Sequence, residues 1–418
     1  MTQKNRNDNP KADDNPMAAE INQYPPLAGQ PDHPGWVTLA RVLQQTDPFF
    51  ENILFMMGYD FSSDIYVIKG GDGLTIVDPG NDYTAYMALF DLEYEPADIK
   101  KIVLTHGHRD HAMGTFELLR YPSINQRKEV EIVIHEDGPE EFKKMIKGTG
   151  FPLTEIKGGE KLDLGGTTWE VIFTPGHTMD GITLYNAEKR TAFTGDTVLP
   201  FGIADIDKNG GGRLDHLLYS VKELRKKDIA HILPGHGVPV ASAGKRVIEV
   251  AYESVMAKIL NAEGEVAWMD GAPALVQKGL LEEAAYCCDK HLEGHPDDMT
   301  ALQLKAFCLT DMGRNAESLV LIDKILAQDT DNPHALLGKG HALLGLERYE
   351  ESLTYFDRVL AIDADIKEAH IFKGMALYFL GRVDEAMDIE VFNREFAEKF
   401  KAQLTRAKSG GTSVQGRE

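Results

Sequence analysis

Cysteine is scarce in this sequence, which has three among 418 residues. Cys287, Cys288 and Cys308 are too few, and odd in number, to form the disulfide framework that holds small secreted domains together. We therefore expect reduced thiols at buried helix positions, in a protein that works in a reducing compartment.

Long apolar runs and an apolar N-terminus are also missing. No stretch approaches the roughly 18 consecutive apolar residues that a membrane-spanning helix needs. The opening residues Met1–Asp8 are polar and lack the apolar region of a secretory signal. The sequence thus predicts neither membrane insertion nor secretion, and we expect a cytoplasmic location.

Positive charge is in short supply, with 44 Lys and Arg against 66 Asp and Glu and a net charge of −22. A surface this acidic repels phosphate backbones, and no local basic patch interrupts it, so a nucleic-acid partner is not expected. The acidic character mainly supports solubility.

The length of 418 residues predicts two domains, each with enough chain for a core. Residues 1–34 are rich in Asn, Asp, Pro and Gln and poor in large apolar side chains, which predicts a disordered N-terminal segment. From Trp36 the pattern changes, and we expect the apolar block that follows, up to Met57, to pack in a core.

The most informative stretch is Lys101–His111, where a short apolar run stops at four potential metal ligands within six positions. The run Ile102–Leu104 predicts a strand buried on both faces, and Gly107 lets the chain turn just after it. The imidazoles of His106 and His108 can face one point while Asp110 and His111 face a second point nearby. Imidazole and carboxylate ligands suit zinc, iron or manganese, and two ions about 3.5–4 Å apart are a recurrent hydrolytic device.

Further polar turns follow predicted strands elsewhere in the chain. They are Thr75–Gly80, Thr174–Thr178, Thr194–Thr197 and Pro234–Gly237. His135 and His231 also adjoin apolar runs but match no ligand pattern, and we expect them to be ordinary loop histidines.

The H-x-H-x-D-H motif and these turns resemble the metallo-β-lactamase superfamily. Five separate motifs occur in the family's order between about residues 55 and 240. The resemblance implies an αββα sandwich that presents its ligands at one edge of two packed sheets. With the helical repeats described below, the expected fold class is α+β, with a catalytic domain over residues 35–242.

The resemblance also implies a role for each matching residue. One metal ion would be bound by His106, His108 and His177, and a second ion by Asp110, His111 and His236. Asp196 would bridge both ions, which makes Asp110 and Asp196 the candidate catalytic carboxylates. Asp78 would support the ligands through hydrogen bonds. The expected cofactors are two divalent ions, zinc first, with iron or manganese as alternatives.

Such a centre implies a hydrolase that activates water against a small ester, thioester, lactone or phosphoester. Flavodiiron proteins, which resemble this fold, carry Glu where His108 stands. Persulfide dioxygenases of the same superfamily bind a single iron through the equivalents of His106, His177 and Asp196, so a sulfur dioxygenase remains an alternative. Glyoxalase II enzymes share all seven ligands but continue into a different helical domain with basic glutathione-binding residues. A scaffold that acts mainly through its repeats is the third hypothesis.

The loop from Pro200 to Arg213 is the most distinctive part of this domain. Asp205, Asp207 and Asn209 match the first half of a calcium-binding loop, but His216 stands where such a loop has a bidentate Glu. Its three consecutive glycines favour a mobile loop that covers the substrate, with Arg213 as a candidate anion clamp. A solvated turn is the alternative.

Beyond a helical connector at 243–264, a 34-residue repeat runs over 265–400. Its columns of small residues and leucines include Ala272, Ala306, Gly340 and Gly374, then Leu275, Leu309, Leu343 and Leu377. Small residues let paired helices approach closely while leucines fill the space between stacked units. This pattern resembles tetratricopeptide repeats, which implies a protein partner or a homodimer. Residues 401–418 predict a disordered tail.

Overall fold

The computed structural model describes residues 35–58, 61–81, 84–90, 92, 94–261 and 266–395. The segments predicted to be disordered, 1–34 and 401–418, lie outside these residues. The chain divides into two compact units, the first ending at Asn261 and the second beginning at Ala262. Within the described ranges, no helix combines the length and apolar character needed to cross a bilayer.

A seven-stranded sheet, with its strands in chain order, forms one layer of the first unit. Strands β1 to β4 are antiparallel neighbours, and β4 to β7 run parallel. The strands are β1 (Val37–Thr38), β2 (Ile53–Met56), β3 (Ile65–Gly70), β4 (Gly73–Val77), β5 (Ile99–Val103), β6 (Glu131–His135) and β7 (Leu153–Ile156). The β3–β4 pair is the hairpin that its glycine-rich connection predicts.

A five-stranded sheet forms the second layer, in the order β12-β11-β10-β9-β8. Strands β8 to β11 form an antiparallel meander, and β12 joins β11 in parallel. The strands are β8 (Lys161–Leu164), β9 (Thr167–Phe173), β10 (Ile182–Asn186), β11 (Thr191–Gly195) and β12 (His231–Pro234).

Nine helices accompany the strands of the first unit. They are α1 (Leu39–Leu43), α2 (Pro48–Glu51), α3 (Thr84–Phe90), α4 (Arg109–Ala112), α5 (Gly114–Leu119), α6 (Pro122–Arg127), α7 (Glu140–Thr149), α8 (Leu214–Arg225) and α9 (Gly244–Ile259), all within the described residues. Helices α3 to α8 lie in the connections between parallel strands, which cannot be joined by a tight turn.

The two sheets pack face to face over one hydrophobic core, where Phe193 contacts Tyr66 and Trp169 at ring distances of 5.0 and 4.8 Å. A second core, on the opposite face of the seven-stranded sheet, takes in Tyr86 of α3 and Phe142 of α7. Helices α8 and α9 pack on each other beside the second sheet. The αββα sandwich is therefore confirmed, and so is core packing of the segment before β2.

The expectation of ordinary loop histidines at 135 and 231 is wrong. His135 is the last residue of β6, is 2 % exposed and stacks on Phe173 at 4.4 Å. His231 is the first residue of β12, is 8 % exposed and packs edge-on against Phe50. Both are aromatic components of the sheet packing.

The second unit is a run of helices, each packed against the next along the chain. They are α10 (Trp268–Gln277), α11 (Leu281–Gly294), α12 (Met299–Asp311), α13 (Asn315–Gln328), α14 (Pro333–Gly345), α15 (Tyr349–Ile362), α16 (Lys367–Phe379) and α17 (Val383–Met387). Starts of equivalent helices, such as α12, α14 and α16, are 34 residues apart, which matches the period found in the sequence.

The small-residue column of the repeat allows close helix contact, as predicted. A Cβ atom on Gly340 would lie 2.4 Å from the Phe356 ring, and one on Gly374 would lie 2.3 Å from the ring of Phe392. The three cysteines are free and buried in α11 and α12, as expected. Burial raises the pKa of Cys287 and Cys288 to about 12.

Candidate metal centre

The sequence-predicted ligands converge at one edge of the two sheets, because each lies just beyond the end of a strand. His106 to His111 follow β5 of the first sheet, and α4 begins directly after His108. On the second sheet, His177 follows β9, Asp196 follows β11 and His236 follows β12. The fold therefore brings together side chains that are up to 130 positions apart, from 106 to 236.

The first group of donors consists of His106, His108 and His177, the trio that the family resemblance implies for one ion. His177 Nε2 lies 3.0 Å from His108 Nδ1. The His106 ring lies 4.7 Å from the His108 ring and 5.2 Å from the His177 ring. All three imidazoles face one point.

The second group consists of Asp110, His111 and His236. Asp110 Oδ2 lies 3.2 Å from His236 Nε2 and 3.7 Å from His111 Nε2. Two donors bound tetrahedrally at about 2.1 Å from a zinc ion would lie about 3.4 Å apart. The separations in this group, 3.2 and 3.7 Å, thus lie on either side of the spacing that a shared ion would require.

Asp196 lies between the two groups. Its Oδ1 is 3.5 Å from His111 Nε2, and its Oδ2 is 3.6 Å from His177 Nε2 and 3.5 Å from His236 Nε2. The carboxylate is 7 % exposed, so water does not compete freely for it. Its two oxygens face donors of both trios, and Asp196 forms a third group with His106 and His111, whose rings lie 4.1 Å apart.

The hydrogen bonding of the donor atoms, as well as their spacing, fits a metal site. Three buried atoms that face the centre, His106 Nε2, His111 Nε2 and Asp196 Oδ1, have no hydrogen-bond partner among the described residues. Buried polar atoms are rarely left unpaired in proteins. Gly235 also keeps space there, because a Cβ on it would lie 2.2 Å from Asp196 Oδ1. The site suits divalent ions with imidazole and carboxylate ligands.

Asp78 lies beneath the centre, where the resemblance implies a supporting residue. It is 2 % exposed and has a left-handed backbone with φ of +52°. His111 Nδ1–H donates to Asp78 Oδ2 at 2.9 Å, and the Thr105 hydroxyl donates to the same oxygen at 2.6 Å. The Thr105 oxygen in turn lies 3.2 Å from His106 Nδ1. One carboxylate thereby orients two ligands.

Asp207 has a similar place next to His108, and sequence reasoning missed this role. His108 Nε2 lies 2.9 Å from Asp207 Oδ2, which leaves Nδ1 facing the first group. The distal nitrogen of His177, Nδ1, donates to the carbonyl oxygen of Asp205. A metal-binding imidazole usually donates its other N–H to such an acceptor. The half-matched calcium motif therefore supplies acceptors to two histidines.

The loop that carries these acceptors is attached to the candidate ligands. Its backbone bonds to the 176–179 segment at three points, through Asp207 N, Arg213 N and Gly210 O. The predicted anion clamp, Arg213, is 60 % exposed and forms a bidentate ion pair with Asp215. The loop thus holds His177 in place, and the role of Arg213 as an anion clamp stays a prediction.

Burial and mutual charge set the protonation of the ligands. Desolvation lowers the pKa of His106 well below its ordinary value, and His111 adds to the effect. Burial also disfavours the charged form of His111, but Asp196 and Asp78 outweigh it and raise the pKa of that imidazole. Asp196 is buried, yet His111 and His106 hold its pKa below the usual range. The carboxylate remains an anion, and His106 a neutral donor, near neutral pH.

A second buried acid, Asp64, was also missed. It is 1 % exposed, accepts a hydrogen bond from Gly58 N at 2.7 Å, and its Oδ2 has no partner among the described residues. Burial raises the pKa of this carboxyl well above its usual range. Nothing in the sequence indicated that Asp64 is buried, because this residue lies outside every recognised motif.

An open cleft of about 750 Å³ lies over the second group. Asp110 and His236 line it together with Ser62, Arg109 and Met113. Phe61, 95 % exposed with φ of +65°, is also in the lining. Arg109 is exposed and has no ion pair within the described ranges. This guanidinium, rather than that of Arg213, is the cation available in the cleft.

Sequence comparisons with known proteins match both units of the chain. The sequence model of the metallo-beta-lactamase superfamily matches residues 58–236, and that of the tetratricopeptide repeat matches 309–367 and 337–394. The hydroxyacylglutathione hydrolase GloC of Haemophilus influenzae is 30 % identical over 174 residues, which cover 39 % of this chain and 79 % of that protein. The lactamase-like protein adaB of Aspergillus niger is 26 % identical, covering 47 % of this chain and 57 % of that protein.

A solved structure, that of a metallo-beta-lactamase family protein from Thermus thermophilus, is 21 % identical with a TM-score of 0.40. The match covers 54 % of this chain and 87 % of that one. With a relative at 30 % identity matched over most of its length, and three overlapping groups of converging His and Asp side chains, the chain belongs to the metallo-β-lactamase superfamily as a metal-dependent hydrolase that also carries tetratricopeptide repeats.

Proposed function

We propose that the first unit hydrolyses a small ester, thioester, lactone or phosphoester at a dinuclear centre. His106, His108 and His177 would hold one divalent ion, Asp110, His111 and His236 would hold the other, and Asp196 would contribute to both. The observation that carries the proposal is the convergence of these seven side chains with three buried donor atoms unpartnered. Zinc is the first candidate because the donors are imidazole and carboxylate, with iron and manganese as alternatives.

Divalent ions in such a centre supply two effects, a lower pKa for coordinated water and polarisation of the scissile carbonyl or phosphoryl oxygen. The protein residues contribute position and charge. Asp110 is about a third exposed and lines the cleft, so its carboxylate can accept a proton from the attacking water.

The cleft supports a small substrate. Its volume of about 750 Å³ lies within the range of ordinary small-molecule sites. Arg109 places one guanidinium between two ligand residues, where it can hold an anionic group of the substrate. Among the four classes, thioesters are the first to test, since a relative is named as a hydroxyacylglutathione hydrolase.

The proposed division of labour follows the chain. Residues 35–242 form the catalytic domain, 243–264 form a connector and 265–400 form repeats that bind a protein partner or a second copy of the chain. In support, α9 is a single helix over most of the connector, and the change of unit falls at Asn261.

The decisive experiment is metal analysis of protein purified without added metal, followed by a hydrolysis screen. About two zinc, iron or manganese ions per chain together with turnover of an ester, thioester, lactone or phosphoester is the expected result. One iron per chain with oxygen consumption on a persulfide would replace the proposal with sulfur dioxygenation. Two bound ions without turnover of any of the four classes would also contradict it and favour a scaffold role.

A further inference from the structure

A groove in the second unit has features that the hydrolase proposal does not use. It encloses about 460 Å³ over α12, α14 and α16, the first helices of three successive pairs. These helices pack side by side along the unit. The floor is apolar and includes the buried side chains of Ala306, Ile322 and Ile325.

The walls of the groove present aromatic surface to solvent. Phe307 of α12 is 52 % exposed, whereas other apolar residues of the same helix, such as Ala306 and Leu309, are buried. Across the groove, the imidazole of His341 stacks on Phe372 at 4.3 Å with an interplanar angle of 14°. Exposed aromatic surface beside an apolar floor is typical of a site that takes up a bulky apolar side chain.

The charged residues in the lining are both acidic. Asp311 lies at the end of α12 and Glu368 at the start of α16, and both are exposed. Neither forms a hydrogen bond or an ion pair within the part of the chain that the structure describes. The lysines of the same region do not neutralise them, because Lys305 bonds to Asp289 and Lys339 bonds to Asp323 at 2.6 Å.

From this combination we propose that the groove binds an extended segment of a partner protein in which a Lys or Arg side chain neighbours a bulky apolar one. The apolar side chain enters beside Phe307, and the cation pairs with Asp311 or Glu368. Neighbouring helix axes lie about 8–10 Å apart and an extended chain advances about 3.3 Å per residue. A segment that crosses from α12 to α16 is therefore about six residues long.

Charge complementarity favours this partner over a second copy of the chain. The protein carries 66 acidic against 44 basic residues, so a second copy brings mainly like charge to Asp311 and Glu368. A basic segment gains from both carboxylates without displacing any existing ion pair. Such binding weakens as ionic strength rises, because the carboxylates are exposed.

The test uses the full chain and an immobilised library of random hexapeptides. Peptides retained by the wild-type protein should be enriched in Lys or Arg together with Leu, Met or Phe. The best retained sequence is then synthesised with a fluorescent label and titrated by anisotropy. Its Kd should rise at least tenfold for the double variant D311N/E368Q and for Phe307→Ser, and about threefold or more between 50 and 300 mM salt.

Matched controls remove the same chemistry elsewhere in the unit. The double variant E347Q/D388N deletes two exposed charges outside the groove, and Val320→Ser deletes an apolar side chain that is 69 % exposed on α13. Both should bind the peptide as the wild type does. Thermal unfolding of all variants separates lost binding from lost folding.

Three outcomes would overturn the proposal. The first is a retained pool that is acidic or has no charge preference, including one with no enrichment over the input library. The second is unchanged affinity in the folded groove variants. The third is a wild-type dimer, seen by sedimentation, that dissociates in the groove variants, because a second copy would then occupy the groove.

Discussion

Replacing Asp78 with Asn should weaken metal binding more than any other change outside the ligands themselves. The carboxylate accepts hydrogen bonds from His111 Nδ1, the Thr105 hydroxyl and the Thr105 amide at 2.9, 2.6 and 2.7 Å. Asn has nearly the same shape but one oxygen fewer, so its NH₂ group must face a donor. His111 then loses the contact that directs its Nε2 towards the centre.

The size of the effect follows from burial. The side chain of Asp78 is 3 % exposed and that of His111 is fully buried, so solvent cannot replace the lost bond. A hydrogen bond to a charged group contributes about 1.5–3 kcal/mol, which corresponds to about a 10- to 100-fold rise in the Kd for metal. Asp207→Asn breaks a contact whose two side chains are each 30 % exposed, and should cost less than about fivefold.

The assay is competition between the protein and a chromophoric chelator of known zinc affinity, at pH 7 and fixed ionic strength. Asp163→Asn serves as the control, since it removes an exposed carboxylate that only caps a turn at Gly166 N. The reasoning would be refuted if a folded Asp78→Asn protein bound zinc within twofold of the wild type. It would equally fail if Asp207→Asn had the larger effect.

Four further outcomes are expected. Asp196→Ala should abolish hydrolysis and reduce bound metal, because the oxygens of Asp196 face donors of both groups. Metal content and turnover rates of the variant test this. Full activity would show that Asp196 is not part of the centre. Gly340→Ala should lower the free energy of unfolding of the second unit by about 1–3 kcal/mol in urea, because its Cβ meets the Phe356 ring. Gly338→Ala in the same helix, with no neighbour closer than 3.4 Å, should instead be neutral or stabilising by up to about 1 kcal/mol, and equal effects would contradict the packing argument. Burial lowers the pKa of His341 below its ordinary 6.5. As the pH falls below 6.5, the histidine of the unfolded chain therefore binds a proton more readily than that of the folded chain. The free energy of unfolding should then decrease as the pH falls towards 5. Unfolding midpoints across this range should decline less steeply for His341→Phe, and identical slopes would rule out this histidine. The three buried thiols should not react with Ellman's reagent within minutes at pH 8 in the native protein, but all three should react in guanidinium; a native thiol that titrates rapidly would contradict their burial.

The seven candidate ligands could be predicted from the sequence because their positions depend on a local signal. Each follows a short apolar run, and strands of a packed sandwich end at shared edges. The grouping into trios came from the family resemblance and stays a prediction, because the coordinates bring both trios together but also group His106 with His111 and Asp196. The 34-residue repeat was equally visible, since helix starts recur with the sequence period.

The contacts that position the ligands could not be predicted, because they depend on how loops fold. His108 and Asp207 are 99 positions apart, and their contact exists only when the 200–213 loop returns to the 176–179 segment. At the end of the same loop, Arg213 forms an ion pair with Asp215. The cation that lines the cleft is Arg109, which lies inside the H-x-H-x-D-H motif. His135 and His231 were predicted to be loop residues because their packing partners, Phe173 and Phe50, are distant in sequence. Such contacts leave no periodic pattern along the chain.

The candidate ligands come from both sheets, and this arrangement has a consequence for the stability of the first unit. Four donors belong to the connection after β5 in one sheet, and three belong to connections of the other sheet. Divalent ions bound between these donors, as proposed, would link the two sheets, so their binding free energy would also stabilise the folded first unit. A free-metal level about 1,000 times the Kd adds about 4.1 kcal/mol of stability, a large share of what a domain possesses. With such a centre, the supply of metal ions would set the stability of the first unit as well as the rate of its proposed reaction.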